Sequence, residues 1–239
     1  MPENWNAGFK VSLKSVFRFK ILIMEIKLKN FRHLVWDWNG TLLDDLWLCR
    51  ESLNRLLAAA GKPPIDTATY QRIFDFPVIN VYKSLGFSTE QSAFEAMSHE
   101  FIGYYEAHRL DCTLQKGARK FIHAVHARGI SQSVLSAYRH DCLTSIIAEH
   151  DLEKYFVHLS GNDDIFANDK SYRAPGHLKK LGIPAEFVLY VGDTLHDVET
   201  AAAMGVQCVL IDHGERAHQS RERLLASGVP VISDYEVLL

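Results

Sequence analysis

The sequence has few cysteines, and the four that it contains lie far apart, at Cys49, Cys112, Cys142 and Cys208. A structural zinc site or a disulfide framework needs cysteines, or cysteines and histidines, at short characteristic spacings. No such spacing occurs here, so neither kind of site is expected. We interpret the four residues as reduced thiols, which are typical of a cytoplasmic protein.

Long apolar runs and a strong excess of one charge are also missing. A membrane-spanning helix needs roughly 18 uninterrupted apolar residues, and no stretch provides them. The formal net charge is −3, and the chain has no basic stripe interleaved with aromatic residues of the kind that binds nucleic acid. These absences predict that neither a membrane nor nucleic acid is a partner, and that a small molecule is. Monomer and dimer both remain open.

Residues 35–45, VWDWNGTLLDD, form the stretch around which the rest of the chain is organised. An apolar run ends on Asp37, and Asn39, Gly40 and Thr41 then form a turn before a new apolar pattern begins. Ligands of open parallel sheets bind beyond the carboxyl ends of the strands. Gly40 lets backbone amides approach an anion, and the Thr41 hydroxyl can hold the turn. In isolation the same residues are more typical of an Asx-turn or a helix N-cap.

The pattern of helices and strands predicts the domain organisation. Residues 45–110 show helical periodicity in four pieces with no strand between them. Beyond residue 112, helices alternate with apolar strands at residues 130–135, 155–159, 187–191, 206–211 and 229–232. Such alternation is typical of a parallel sheet covered on both faces. We therefore predict an α/β fold, with a Rossmann-like core at residues 31–44 and 111–239 and an inserted all-helical domain at residues 45–110.

The first thirty residues differ from the rest of the chain. Apolar and basic or polar residues alternate from residue 9 to residue 21, as in a strand with one basic face, and Glu3 and Glu25 are the only acids. The segment can be read as a transit peptide, an additional edge strand, or an upstream extension. We favour a structural N-terminal extension at residues 1–30 and assign it no function.

Useful side chains follow three of the predicted core strands: Asp37 the first, Ser136 the second, and Asp193 with Asp197 the fourth. In a parallel sheet these strand ends share one edge. Clustered carboxylates repel one another, and a hard divalent cation such as Mg²⁺ relieves that repulsion. The alternative is that Asp193 is an N-cap and Asp197 an acid in the first turn of the next helix.

These motifs resemble those of the haloacid dehalogenase superfamily, in particular its phosphoglycolate-phosphatase-like branch with a helical cap domain. They appear in order as DWNGT at residues 37–41, VLSA at residues 134–137, Lys170, and VGDTLHD at residues 191–197. The resemblance extends over about residues 33–239. Motifs that are weak singly become specific in this order.

The resemblance implies a Mg²⁺-dependent phosphatase that acts on a small phosphorylated metabolite. Asp37 is then the nucleophile that forms an aspartyl-phosphate, and Lys170 pairs with Asp37 and the phosphate. Lys170 lies in KSYRAP rather than the usual Lys-Pro, so Arg173 is kept as the alternative. Phosphate-binding residues implied by the family are Gly40, Thr41, Ser136, Ala137 and Lys170. Metal ligands implied by the family are Asp37, Asn39 through its carbonyl, Asp193, and Asp197 directly or through water.

Asn39 departs from the family pattern, which has a second aspartate as acid and base at this position. An amide does not titrate, and general acid–base catalysis contributes about 10²–10⁴ in rate. The sequence therefore predicts a slow phosphatase, or one restricted to good leaving groups, in which Asn39→Asp raises turnover. The alternatives are a protein that binds a phosphorylated ligand or a partner without useful catalysis, and a phosphonatase with Lys83 as the cap lysine.

Two further segments are candidate neighbours of the site. Residues 74–77, FDFP, either face the active site, as similar cap segments do in relatives, or belong to the apolar core. His196 is either close to the site or a capping residue on the surface.

Overall fold

The computed structural model describes residues 26–166 and 169–239. Its strands in chain order are β1 (His33–Trp36), β2 (Leu43–Asp44), β3 (Thr113–Leu114), β4 (Ser131–Arg139), β5 (His158–Asn162), β6 (Val188–Gly192), β7 (Gln207–Ile211) and β8 (Val231–Ile232). Six of them form one sheet in the order β5-β4-β1-β6-β7-β8, and every pairing in it is parallel.

Helices cover the sheet and form a separate insertion after its first strand. They are α1 (Leu46–Ala59), α2 (Thr67–Ile73), α3 (Ile79–Ser84), α4 (Gln91–His108), α5 (Ala118–Ala127), α6 (His140–Glu149), α7 (Ala174–Leu181), α8 (Leu195–Met204) and α9 (Arg221–Ala226). The central strands β1 and β6 are buried along their whole length, as expected where helices lie on both faces of a parallel sheet. The predicted α/β class is confirmed.

The inserted helices α1–α4 have an apolar cluster of their own, which includes Leu46, Leu53, Tyr70 and Tyr82. The short antiparallel pair β2–β3 joins the two ends of this insertion, because Leu43 lies opposite Leu114. These helices form the predicted all-helical cap, because they have their own apolar cluster and are connected to the rest of the chain through one short pair of strands. The exact domain boundaries remain predictions.

The register of the central strands brings the predicted site residues together. Trp36 at the end of β1 lies opposite Val134 of β4 and Val191 of β6. Asp37 therefore leaves the sheet between the chain segments that carry Ser136 and Asp193. Parallel pairing makes these neighbours in space although they are distant in sequence.

Two strands end later than the sequence indicated. β4 continues past Ser136 to Arg139, with an irregular register between Leu135 and Arg139. β5 likewise reaches Asn162, which pairs with Arg139. An irregularity of this kind re-aims a side chain without ending the strand, so a polar residue inside β4 was wrongly interpreted as its end.

The beginning of the described chain packs on the core. Ile26 and Leu28 are buried in the same apolar cluster as Trp36 and Leu238. Two of the last five residues of the predicted extension thus lie in the core, and the predicted strand-like segment at residues 9–21 lies outside the described residues. The four cysteines are free thiols. Within residues 26–166 and 169–239, no helix has the length and apolar character that crossing a membrane requires.

Candidate active site

Asp37, Lys170 and Asp197 form a buried ionic cluster at the carboxyl edge of the sheet. The Lys170 Nζ atom lies 2.5 Å from Asp37 Oδ1 and 2.6 Å from Asp197 Oδ1. Burial raises the pKa of Asp37 to about 6, against the opposing attraction of the lysine ammonium. Burial alone would lower the pKa of Lys170, but the two carboxylates outweigh it and hold that pKa well above its usual value. The lysine therefore stays charged beside the predicted nucleophile.

Arg173, the alternative to Lys170, has a different environment. Its guanidinium donates to the backbone carbonyl of Gly161 and to the side chain of Asn162. It also donates to the backbone carbonyl of Ser136 at a distance of 2.7 Å. These bonds hold the ends of β4 and β5 together. The geometry thus places Lys170, and not Arg173, at the predicted nucleophile.

Asp193 lies next to Asp37, and one of its oxygens lacks a hydrogen-bond partner in the described part of the chain. The Thr41 hydroxyl lies 2.8 Å from Asp193 Oδ1 and 3.4 Å from Asp37 Oδ2. Asp193 Oδ2 is buried and has no hydrogen-bond partner among the described residues. Burial raises the pKa of Asp193 well above its usual value, although the charge of His218 and the bond from Thr41 oppose the rise. The Thr41 contact favours a positioning role for that residue over the predicted contact with substrate.

The carboxylates of Asp37, Asp193 and Asp197 each offer an oxygen within 4.8 Å of the others. Hard oxygen donors in this number suit Mg²⁺, which keeps places for water and phosphate. The unpartnered Asp193 oxygen is the kind of buried acceptor that such an ion satisfies. The residues present therefore fit the metal that the sequence predicted.

Asp197 is already extensively hydrogen-bonded. Its Oδ2 accepts from the amide of Asp193 at 3.1 Å and from the amide and hydroxyl of Thr194 at 2.9 and 2.8 Å. Thr194 and Asp197 also form a capping box at the start of α8. Since the other oxygen accepts from Lys170, Asp197 mainly orients that lysine and the loop, and its predicted contact with metal remains a prediction.

The predicted phosphate-binding residues divide into two groups. Ser136 and Ala137 line the pocket next to Asp37, and the Ser136 hydroxyl accepts a hydrogen bond from the Tyr138 amide at 3.1 Å. Its own proton remains to be donated. The Gly40 amide, in contrast, donates to Asp45 Oδ1 at 2.8 Å and to the Leu43 carbonyl at 3.0 Å, so a phosphate oxygen would compete with these two acceptors, and the predicted phosphate contact remains a prediction.

Gly40 also has a steric role. Its φ angle is +76°, and a Cβ atom there would lie 2.4 Å from both Asp193 Oδ2 and His218 Cδ2. Only a residue without a side chain allows this turn to pass between the two groups.

Asn39 belongs to a polar network that sequence reasoning missed. Its Nδ2 donates to Asp45 Oδ2 and to the Tyr105 hydroxyl, both at 2.8 Å. Asp45 also accepts from the Tyr105 hydroxyl at 2.7 Å and pairs with His218 Nε2 at 3.1 Å. Asp45 is fully buried. The one signal available in the sequence was the acidic pair Asp44-Asp45, which the resemblance did not use.

Charge in this network is balanced between Asp45 and His218. Burial works against the imidazolium, but Asp45 outweighs it and raises the pKa of His218. Burial alone would raise the pKa of Asp45, but His218 and the bonds from Asn39 and Tyr105 hold it below its usual value. An aspartate at position 39 would therefore meet an ionised carboxylate. This contact revises the expectation that Asn39→Asp alone raises turnover.

The FDFP segment reaches the site. Phe74 and Phe76 line the pocket together with Asp37 and Lys170. The Phe76 ring stacks on His196 with centroids 4.5 Å apart. His196 is buried, and its Nε2 accepts a hydrogen bond from the Lys170 amide at 3.2 Å. The segment therefore faces the active site, and His196 is a neighbour of the site and not a surface residue.

Comparison with known proteins agrees with this geometry. The model of the haloacid dehalogenase-like hydrolase family matches residues 34–211. A phosphoglycolate phosphatase of Rhodospirillum rubrum is 27% identical over 212 residues, which cover 84% of this chain and 86% of that protein. A phosphoglycolate phosphatase of Yersinia pestis is 23% identical over 236 residues, which cover 89% of this chain and 100% of that protein. A haloacid dehalogenase-like hydrolase structure from Streptococcus pneumoniae shares the fold at a TM-score of 0.75 with 15% identity, over 88% of this chain and 98% of that chain. The resemblance drawn from the motifs is thus confirmed, and the chain belongs to the haloacid dehalogenase-like hydrolase family.

Proposed function

We propose that the protein is a Mg²⁺-dependent phosphatase that hydrolyses a small phosphorylated metabolite through an aspartyl-phosphate on Asp37. The observation that carries the proposal is the meeting of Asp37 with Lys170 at 2.5 Å, beside the unpartnered oxygen of Asp193. The relatives named as phosphoglycolate phosphatases support this class of reaction. The free cysteines are consistent with a cytoplasmic protein.

The metal would be held by the carboxylates of Asp37 and Asp193 and by the backbone carbonyl of Asn39, with Asp197 reaching it through water. When bound, Mg²⁺ neutralises phosphate charge and stabilises the charge that develops during transfer. Lys170 provides a second positive charge next to Asp37. Both effects favour the approach of an anionic substrate to an anionic nucleophile.

The chemistry then follows from the protein groups. A carboxylate oxygen of Asp37 attacks phosphorus, so that a new O–P bond forms while the bond to the leaving oxygen breaks. Ser136 and the Ala137 amide hold the non-bridging oxygens. Asn39 has no titratable proton, so the leaving oxygen takes its proton from water. A water molecule then attacks the aspartyl-phosphate, which releases inorganic phosphate and restores Asp37.

Activity with a panel of phosphate esters tests the proposal. Asp37→Asn should abolish hydrolysis, whereas the exposed control Asp111→Asn should leave it unchanged. Chelation should remove activity and added Mg²⁺ should restore it. Mg²⁺ should also raise the melting temperature of the wild type more than that of Asp193→Asn, because a ligand of the native state stabilises it. Unchanged hydrolysis in Asp37→Asn would exclude the proposed nucleophile.

A second candidate function is binding of a phosphorylated ligand without useful turnover. The contact of Asn39 with Asp45 favours it, because the position of the usual acid is taken by an amide whose NH₂ group is engaged inside the protein. Thermal stabilisation by phosphate esters without release of phosphate would support this function. The phosphonatase alternative loses its candidate lysine, because Lys83 is exposed and does not line the described pocket.

A further inference from the structure

A pocket between the cap helices and the sheet opens onto Asp37 and Lys170 and has a cavity volume of about 150 Å³. Its wall facing the cap is formed mainly by aromatic and aliphatic side chains, among them Phe74, Phe76, Val78, Val81, Phe101 and Ile102. A leaving group attached to a phosphate at Asp37 has to occupy this space. The chemistry of the wall therefore decides which leaving groups are accepted.

Most polar groups that line the pocket are already satisfied by one another, although the Ser98 hydroxyl is buried without a partner among the described residues. The Tyr105 hydroxyl and the Asn39 amide bond to Asp45, and the Tyr138 hydroxyl donates to Glu106. To bond to these groups, a ligand would have to break the existing buried hydrogen bonds. The new bond would only compensate for the lost one, so it would add no net binding energy. The network thus shields the polar atoms and presents the apolar surface to the pocket.

Cations that line the described pocket also have carboxylate partners. Lys170 pairs with Asp37 and Asp197. Arg139 forms a two-point pair with Asp141 at 2.6 and 3.0 Å. His218 pairs with Asp45. A carboxylate on the leaving group, such as that of phosphoglycolate, would therefore find no uncompensated cation among the described residues of this wall.

On the basis of the proposed phosphatase function, we propose that the pocket selects phosphate monoesters with an uncharged, apolar leaving group of about the size of one ring, and discriminates against phosphoglycolate. An apolar cavity of 150 Å³ is known to accommodate one benzene molecule, and because the phosphate shares the pocket, one ring is the upper limit for the leaving group. Transfer of the ring from water to such a wall provides the preference.

The experiment compares benzyl phosphate, ethyl phosphate and 2-phosphoglycolate with Mg²⁺ present. The benzyl and ethyl esters leave as alkoxides of similar basicity, so chemistry alone does not separate them. We expect kcat/KM for benzyl phosphate to exceed that for ethyl phosphate by about 10–100-fold, and 2-phosphoglycolate to be no better than ethyl phosphate. Equal rates for the benzyl and ethyl esters, or a preference for phosphoglycolate, would overturn the proposal while leaving the phosphatase function intact.

Binding provides a readout that does not depend on turnover. Benzylphosphonate should bind at least about 10-fold more tightly than ethylphosphonate, as measured by calorimetry on the full chain with Mg²⁺. If no ester is hydrolysed but this preference is found, the phosphatase function fails and the pocket assignment stands. If both phosphonates bind equally, the pocket assignment fails.

Variants of Ile102 connect the preference to the pocket. Ile102→Lys should reduce the benzyl preference and improve turnover of 2-phosphoglycolate, because it supplies a cation to the wall. Leu110→Lys makes the same change on an exposed residue and should leave both unchanged. Should Ile102→Lys fail to fold, Ile102→Ala should still lower the benzyl preference. An unaltered preference in the folded Ile102 variants would contradict the assignment.

Discussion

Asn39→Asp is the perturbation that most sharply tests the polar network behind the nucleophile. The change replaces the amide nitrogen that lies 2.8 Å from Asp45 Oδ2 with a carboxylate oxygen. Two unit charges 4 Å apart, a distance that allows for relaxation, repel by about 4 kcal/mol at an effective dielectric constant of about 20. That repulsion raises the pKa of one of the two carboxyls above its usual value. We therefore expect the variant to lose about 4 kcal/mol of unfolding free energy at pH 8.

The loss should depend on pH in a defined direction. A carboxyl whose pKa is raised by folding binds its proton more tightly in the native state, so the native state regains stability as pH falls. The deficit should be complete above about pH 7 and should fade towards about pH 4. Urea unfolding of the wild type and the variant between pH 8 and pH 5 measures this difference.

The double variant Asn39→Asp with Asp45→Asn exchanges the amide and the carboxylate and restores their hydrogen bond. It should be more stable at pH 8 than Asn39→Asp alone, and it is the form in which a carboxyl at position 39 can raise turnover. The exposed control Asn80→Asp adds the same charge and should change stability by less than about 0.5 kcal/mol. A loss below about 1 kcal/mol in Asn39→Asp at pH 8, or no gain in the double variant, would refute this reasoning.

Three further predictions concern the site and the core. Gly40→Ala should cost more stability than Gly205→Ala: both residues have positive φ angles, which cost about 1–2 kcal/mol, but only the first also meets atoms at 2.4 Å. Equal losses in urea unfolding would contradict the steric argument. Lys170→Met should destabilise by about 3–5 kcal/mol, because it leaves buried carboxylates without their cation, and a loss below about 1 kcal/mol would contradict the ion-pair geometry. Burial lowers the pKa of His33 to about 4 and of His177 to about 3. As pH falls below about 6.5, these histidines therefore take up protons in the unfolded chain before they do so in the folded protein. Each should cost about 2 kcal/mol of unfolding free energy at pH 5. Replacing either histidine with glutamine should make the loss of unfolding free energy between pH 7 and pH 5 smaller.

The sequence was sufficient to predict the family, the fold class and most of the side chains that meet in the candidate site. Asp37 and Asp193 were predicted to be neighbours because parallel strands deliver the residues that follow them to one edge, and Ser136 lies near the same edge although it is inside β4. Lys170 was found through the order of the motifs, although its local sequence left Arg173 as an alternative. The structure separates the two, since only Lys170 reaches Asp37, whereas Arg173 bonds to backbone carbonyls.

Two details near the site were not foreseen from the sequence. Gly40 was expected to direct its amide towards a phosphate, but the amide donates to Asp45. Ser136 was expected to end β4, but the strand continues through an irregular register. The Gly40 contact depends on how a loop of six residues closes, and the length of β4 depends on its pairing with the distant β5; no periodicity in the sequence encodes either contact.

The sequence by itself determined that carboxylates and a hydroxyl would meet at one edge, because alternating helices and strands imply a parallel sheet, and the order of the family motifs added Lys170. Tertiary structure alone decided that Asn39 bonds to Asp45, that His218 balances its charge over a separation of 173 residues, and that the pocket wall is apolar. These features depend on how separate elements pack side by side. Their free energies arise from burial and from charge at a few ångströms, which only the folded arrangement defines.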